Sequence, residues 1–514
     1  MSFFRRNKQE IYLILFFTFL KIALHFTANS NFGFHRDELL YMALGDHLDW
    51  GFKEVPPFVA GISWISAHLF GDSVFLTRLL PTLFGSMIVL LTGLCVINLG
   101  GKKLAISIAC IAVIISPAFL ASQYLLQPVV FDQFFWTLTA YFVIRYVRTR
   151  NVKYIYFTGI AAGFGMLNKY TMAFFVLALI IGLLVTPQRK LLFQKAWLFS
   201  ALIAFIIFLP NLIWQINNGF PVVKHMQELR ETQLENINPV DFLLQQLLIH
   251  ASGLFIWLAG LIYYFISRSN KQYRFLGISF LVTLILLIVL KGKVYYGFGA
   301  YPILFAGGGI AFYKLLKHVK LPIQIGILAF LFLPALLFIP IAIPILPLPT
   351  TLKFFSFTSE KLNMRFPLKW EDQNEHSTTQ DYADMMGWDE MAKIVEKAYS
   401  TIPVSQRNKT TILASNYGQA GGIDHFGKEY NLPSVVCLNS SYALWSPQEI
   451  ETENIVYIDD EDPDDIVPYY KTIKKIGEVQ NPYAREKGTQ VYLLSDPVKD
   501  LLPLYQGVRS KTLN

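Results

Sequence analysis

Asp37 and Glu38 stand directly after the first long apolar run, in Phe34-His35-Arg36-Asp37-Glu38-Leu39-Leu40-Tyr41. Asp132 opens a later run, in Leu126-Gln127-Pro128-Val129-Val130-Phe131-Asp132-Gln133-Phe134-Phe135-Trp136. Ionisable groups at membrane depth are costly and are functional hypotheses by default. Carboxylates placed this way suit acid/base chemistry or the binding of a substrate hydroxyl. The bland alternative for Asp37 is a helix N-cap for residues 38–44. Glu54 precedes Pro56-Pro57, which hold the backbone extended and would aim a carboxylate rigidly. Lys169 interrupts a long apolar stretch and is either a site cation or a snorkelling interface lysine. Lys293, Tyr295 and Tyr296 sit together beside another run, where an aromatic belt competes with a site role.

These residues need a frame, and composition supplies it. Of 514 residues, 54% are hydrophobic and 16% charged, with a mean hydropathy of +0.41, against about 25% charge in a soluble protein. Apolar runs long enough to cross roughly 30 Å of hydrocarbon recur to about residue 346. Eleven spans are predicted, at 11–28, 79–99, 104–122, 133–149, 154–168, 170–186, 196–215, 247–266, 273–290, 301–315 and 321–346. The chain is a polytopic membrane protein, mainly α. Its net charge of +8 does not imply nucleic acid, because the basic residues cluster in short loops. Cys95, Cys110 and Cys437 indicate no disulfide framework and no thiolate metal site.

The loops Lys102-Lys103, Arg145–Arg150, Arg189-Lys190, Arg268–Lys271 and Lys314–His318 share one side with the N-terminal Arg5-Arg6. The positive-inside rule makes that side cytoplasmic. An odd span count then puts the C-terminus outside, together with the long loops 30–78, 216–246 and the one from Lys291. The tightest step is a reversal at Asn168-Lys169 between two spans. Phe58–Leu69 is expected to lie along the interface.

Composition changes abruptly near residue 350, giving domains 1–349 and 350–514. The second reads as a soluble, extracytoplasmic α/β unit. Helical periodicity is expected over Trp388–Tyr399, strands at Thr410–Ser415, Ser434–Leu438, Ile455–Asp459 and Val491–Leu494, and helices at Gln419–Phe426 and Pro463–Lys474. Gly418-Gln419-Ala420-Gly421-Gly422 matches neither common nucleotide-binding loop, so a tight strand-to-helix turn is expected there.

Taken in order, several motifs carry a resemblance. They are Asp37-Glu38 with Tyr41, Glu54-Val55-Pro56-Pro57, Gln127-Pro128 with Asp132, Asn168-Lys169-Tyr170, Pro210–Gln215, Lys293-Val294-Tyr295-Tyr296 with Tyr301-Pro302, Tyr382–Trp388 and Asn416–Ala420. The chain resembles the GT-C membrane glycosyltransferases that use polyprenyl-phosphate sugars. It is most similar to the bacterial branch related to protein O-mannosyltransferases and the aminoarabinose transferase of lipid A. One departure is Val55, where some relatives carry a lysine.

The resemblance implies a GT-C fold in a bacterial inner membrane, with the tail periplasmic. It implies transfer of a sugar from a polyprenyl-phosphate donor to a lipid, glycan or protein acceptor in cell-envelope glycosylation. Such an enzyme needs a general base for the acceptor hydroxyl and cations for the leaving phosphate. Asp37 is the expected base, Glu38 a second catalytic acid or a partner for Arg36, and Asp132 a sugar or lysine partner. Glu54, Lys169, Lys293, Tyr295 and Tyr296 are expected in donor or acceptor binding, with Lys169 first for the phosphate. No cofactor is expected; a divalent metal could bind acids here but is not required. The alternative reading is a transporter or lipid flippase without transferase activity, although no internal repeat is evident.

Overall fold

The computed structural model describes residues 3–234 and 238–513. Its first two thirds are helical. The elements that matter here are α1 (Lys8–Phe26), α2 (Arg36–Asp46), α3 (Phe58–Leu69), α4 (Leu79–Asn98), α5 (Lys103–Ile115), α6 (Pro128–Thr149), α7 (Lys153–Asn168), α8 (Thr171–Leu184), α9 (Lys195–Asn217), α10 (Leu254–Ile266), α11 (Arg274–Val289) and α12 (Tyr301–Leu316). Each predicted span falls on helix. Among the described residues, six helices reach the length and apolarity of a crossing unaided: residues 8–26, 74–98, 195–217, 271–289, 294–316 and 321–342. The pair 239–248 and 251–266 bends by 67°. The other predicted spans are shorter or more polar.

The bundle is built for lipid. Leu198, Phe199, Leu202, Phe205 and Ile206 on α9 are exposed, as a helix facing acyl chains permits. Inside, small residues let backbones touch, the usual driving contact between membrane helices. A Cβ added at Gly260 would stand 1.9 Å from the Leu304 carbonyl oxygen, and one at Gly308 equally close to that of Ile256. That pins α10 against α12.

Two local devices set up the site. The chain leaves α7 at Asn168 and re-enters helix at Thr171. Lys169 between them is extended, and Met172 packs against Gly165 across the break. The N-cap of α2 is His35, whose Nδ1 accepts from Asp37 N at 3.1 Å, while Glu38 accepts from His35 N at 2.9 Å. This reciprocal cap fixes the first turn. It also relieves Asp37 of the capping task, so its carboxylate is free for other partners.

The tail begins with α13 (Leu348–Lys361), whose first turn coincides with the composition change, and continues through α14 (Trp388–Ser400), β1 (Thr410–Ala414), α15 (Tyr417–Phe426), β2 (Val436–Cys437), β3 (Asn454–Asp459), β4 (Tyr470–Glu478), β5 (Gln490–Pro497) and α16 (Leu502–Leu513). The sheet order is β2-β1-β3-β5-β4, parallel through β2-β1-β3 and antiparallel at β5 and β4. The glycine-rich stretch is not the expected turn: Gly418–Gly422 lie in the first turns of α15, and the strand-to-helix connection is Ser415-Asn416, with Asn416 as the cap. The helix expected over Pro463–Lys474 is not formed: its second half belongs to β4. Ile466, Tyr470 and Ile473 mimic helical spacing, but the run Lys471–Lys475 lies exposed on an edge strand, where lysines are tolerated and discourage further pairing.

Tail and bundle meet at α2. Gly33 N donates to the Met385 carbonyl at 3.2 Å and Arg36 N to that of Asp384 at 3.0 Å. Gly421 lies so close to Leu39 that an added Cβ would sit 2.9 Å from the leucine Cβ.

Candidate functional site

Asp37 is held at both oxygens. Gln127 Nε2 donates to Oδ2 at 3.1 Å, and Tyr417 Oη donates to Oδ1 at 2.9 Å. Gln127 is delivered by the start of α6, where Pro128 takes the first helical position that proline favours. Tyr417 is delivered by α15, capped by Asn416 accepting from Gly418 N and Gln419 N. The Arg36 guanidinium lies over the Tyr417 ring, 4.6 Å from its centre, and its buried Nε has no hydrogen-bond partner. A carboxylate offers about four acceptor directions, so two remain for a substrate hydroxyl.

Glu38 is turned the other way. It is fully buried against Arg78, itself fully buried, with Arg78 Nη2 at 2.8 Å and Nε at 3.0 Å. Glu38 also accepts from Leu126 N at 3.1 Å. Arg78 continues to the carbonyls of Gly33 at 2.8 Å and Asn29 at 3.3 Å. Glu38 thus ties α2 to the loop before α6 and to the start of α4. Its partner is Arg78 and not the expected Arg36.

A cationic arm approaches from the other side. Lys169 Nζ lies over the rings of Tyr295 and Tyr296, at 4.6 and 4.4 Å. Asp132 accepts from Thr171 Oγ1 at 3.0 Å and lies within electrostatic range of Lys169, while its Oδ1 is buried without a hydrogen-bond partner. Asn168 donates to the Pro128 carbonyl at 2.9 Å, locking the Lys169 turn to the start of α6. Tyr295 lies within electrostatic range of Asp37. Burial holds the Lys293 ammonium below its ordinary range, and Glu371 and Asp37 act against that. Burial first, then the charge of Asp37, also lifts the Tyr41 phenol well above its usual range.

Glu54 faces the tail. Ser440 Oγ and Ser441 Oγ each donate to one of its oxygens. Its neighbour Lys53 is buried and paired with Glu228 at 3.1 Å. A cavity of about 430 Å³ opens beside them, lined by Lys53, Asn217, Asn218, Lys224 and Ser440 among others. The Val55 side chain is buried in the core.

The arrangement therefore brings Asp37, Lys293, Tyr295 and Tyr296 into one neighbourhood with Lys169 and Asp132 behind. Glu54 lies at the bundle–tail seam, and Glu38 in the supporting layer. Arg78, Gln127, Tyr417 and the Ser440-Ser441 pair are the participants that sequence reasoning did not single out individually. Gln127 and Tyr417 lay inside motifs already noted; Arg78 gave no local signal. Among the described residues, no group of three or more His, Cys, Asp or Glu side chains could hold a metal ion.

Known proteins share this frame. A family model described as dolichyl-phosphate-mannose-protein mannosyltransferase matches residues 54–214. Lipid A galacturonosyltransferase RgtD of Rhizobium johnstonii is 24% identical over 300 residues, 56% of this chain and 61% of that protein's length. In structure, the chain is similar to ArnT from Cupriavidus metallidurans. The apo form matches with a TM-score of 0.62 and 12% identity over 93% of this chain and 97% of ArnT. The form bound to undecaprenyl phosphate matches with a TM-score of 0.60 and 12% identity over 96% and 98%. The fold is similar to that of ArnT, and the sequence resemblance to membrane glycosyltransferases is matched locally by the family model and by RgtD.

Proposed function

We propose that this protein is an integral-membrane glycosyltransferase. It moves a sugar from a polyprenyl-phosphate donor to a lipid, glycan or protein hydroxyl on the outer face of a bacterial inner membrane. The observation that carries the reading is the placement of Asp37. Its carboxylate is fixed by Gln127 and Tyr417, keeps free acceptor directions, and shares its surroundings with Lys293 and with the Lys169–Tyr295–Tyr296 cluster. A general base and a phosphate-binding cation are the two things this transfer needs. The similarity to RgtD, a lipid A galacturonosyltransferase, and to an ArnT bound to undecaprenyl phosphate supports glycosyl transfer and a polyprenyl-phosphate ligand.

In this reading Asp37 takes the proton of the acceptor hydroxyl as its oxygen attacks the anomeric carbon. The bond from that carbon to the phosphate oxygen breaks, and the polyprenyl phosphate leaves with the electron pair. Lys169 and Lys293 stabilise the charge that develops on the phosphate. Asp132 orients Lys169, Glu54 helps to shape the acceptor side, and Glu38 supports the first turn of α2 without touching substrate. The N-terminus and basic loops face the cytoplasm and residues 350–514 face outward. The test is reconstitution in liposomes with a polyprenyl-phosphate sugar and an envelope-lipid acceptor. Transfer from the lipid-linked sugar is expected; transfer from a nucleotide sugar alone would overturn the reading.

A further inference from the structure

Among the contacts between tail and bundle, three tail hydroxyl groups end on bundle carboxylates. Ser440 and Ser441 reach Glu54, and Tyr417 reaches Asp37. The first pair lies at the seam. The second enters the catalytic neighbourhood. We propose that Tyr417 is a positioning residue of the transfer reaction, so that the tail completes the active site instead of merely covering it. This rests on the reading of Asp37 as the general base.

Four features of the structure support it. The Tyr417 hydroxyl is directed at one oxygen of Asp37 while Gln127 holds the other, so the carboxylate plane is set jointly by bundle and tail. The same ring is a platform for Arg36, the residue before Asp37. The residue after Tyr417 is glycine, and a Cβ there would stand 2.7 Å from Arg36 Cγ and Nε, so this turn accepts the arginine only without a side chain. Asn416 caps α15 and fixes the direction in which Tyr417 leaves the helix. Burial first, and then Asp37's charge, pushes the Tyr417 phenol well above its ordinary range. The hydroxyl therefore stays protonated and donates. Its effect is to hold the base in one orientation, with Gln127 on the other oxygen, leaving the remaining lone pairs free for the acceptor. Misplacement of a catalytic group by about 1 Å costs on the order of 10²-fold.

The experiment has two arms on the full-length protein. The first needs no substrate. Tyr417→Phe, Asp37→Ala and the double variant are compared for thermal stability in detergent. The two changes should couple, because each removes the same hydrogen bond; strict additivity would overturn the proposal. The second arm measures transfer from a polyprenyl-phosphate sugar. Tyr417→Phe should lower kcat about 10- to 100-fold and leave donor KM within about twofold. Normal kcat per folded molecule, even with reduced stability, would show a structural contact only and overturn the positioning role. Coupling in the first arm beside a wild-type protein that transfers no lipid-linked sugar would overturn the transferase reading, and the kinetic role with it.

Discussion

Arg78→Met should unsettle the site without touching substrate. The guanidinium and the Glu38 carboxylate are both fully buried, joined at 2.8 and 3.0 Å, and Arg78 also satisfies the carbonyls of Gly33 and Asn29. Removing one partner strands a buried charge, which typically costs about 3–5 kcal/mol. The lost carbonyl hydrogen bonds belong to the same figure, since one side chain makes them all. Glu38→Gln alone leaves an uncompensated arginine and should cost a similar amount. The double variant, Glu38→Gln with Arg78→Met, leaves no buried charge and should cost clearly less than the sum. Stability is read from thermal unfolding in detergent, and transfer from the folded fraction. If Glu38 supports Asp37, the folded double variant should keep transfer within about tenfold of wild type. Loss of a catalytic acid/base typically costs about 10²–10⁴-fold. Additive destabilisation, or a folded double variant that has lost more than about 10²-fold, would refute the assignment of Glu38 to the supporting layer.

Lys169→Met keeps the apolar stem and deletes the charge held over Tyr295 and Tyr296; turnover from the lipid-linked donor should fall roughly tenfold to a hundredfold, since charge-assisted hydrogen bonds contribute about 1.5–3 kcal/mol. Orientation can be read by cysteine labelling at Val404→Cys, a tail position 79% exposed, with Cys95, Cys110 and Cys437 all buried. An impermeant reagent should label it on intact spheroplasts, and labelling only after lysis would invert the topology. Asp424 predicts a pH effect on the tail. Burial raises its carboxyl to about 6, against acceptance of hydrogen bonds from Val435 N and Tyr442 Oη. The folded state then keeps this proton to higher pH than the unfolded state, so stability falls as pH rises from about 4 to 6 and the cost stays above that. Asp424→Asn should remove a cost of about 1–3 kcal/mol at pH 7 and flatten the profile, as measured by unfolding at pH 5 and pH 7.

Much of the candidate site was legible because the residues proposed for it announce themselves locally. Asp37 follows a span, Lys169 interrupts an apolar stretch, and Gln127-Pro128 starts a helix; each violates the composition around it. The helical runs were legible for the same reason, since apolar length is a local property. What the sequence hid was pairing. Glu38 could be matched with the adjacent Arg36, whereas its true partner Arg78 lies 40 positions on. Tyr417 lies 380 positions from Asp37, and Ser441 387 from Glu54. No periodicity carries such distances; only the docking of tail on bundle creates them. Asp37 offered the opposite difficulty: as a helix cap it was a sound local reading, but His35 takes that place. At residues 463–474 an edge strand with exposed lysines imitated a helix because one of its faces has no core to declare itself to.

The most direct measurement is transfer from a purified polyprenyl-phosphate sugar by wild-type and Asp37→Asn protein in the same liposomes. Asparagine keeps the volume, still accepts from Tyr417 through its oxygen and, with the Gln127 amide turned over, donates to Gln127 Oε1, so what it removes is the base. Wild type is expected to transfer, while Asp37→Asn should insert and unfold like wild type with turnover lower by about 10²–10⁴-fold. Near-normal turnover by folded Asp37→Asn would contradict the role of Asp37 as the base.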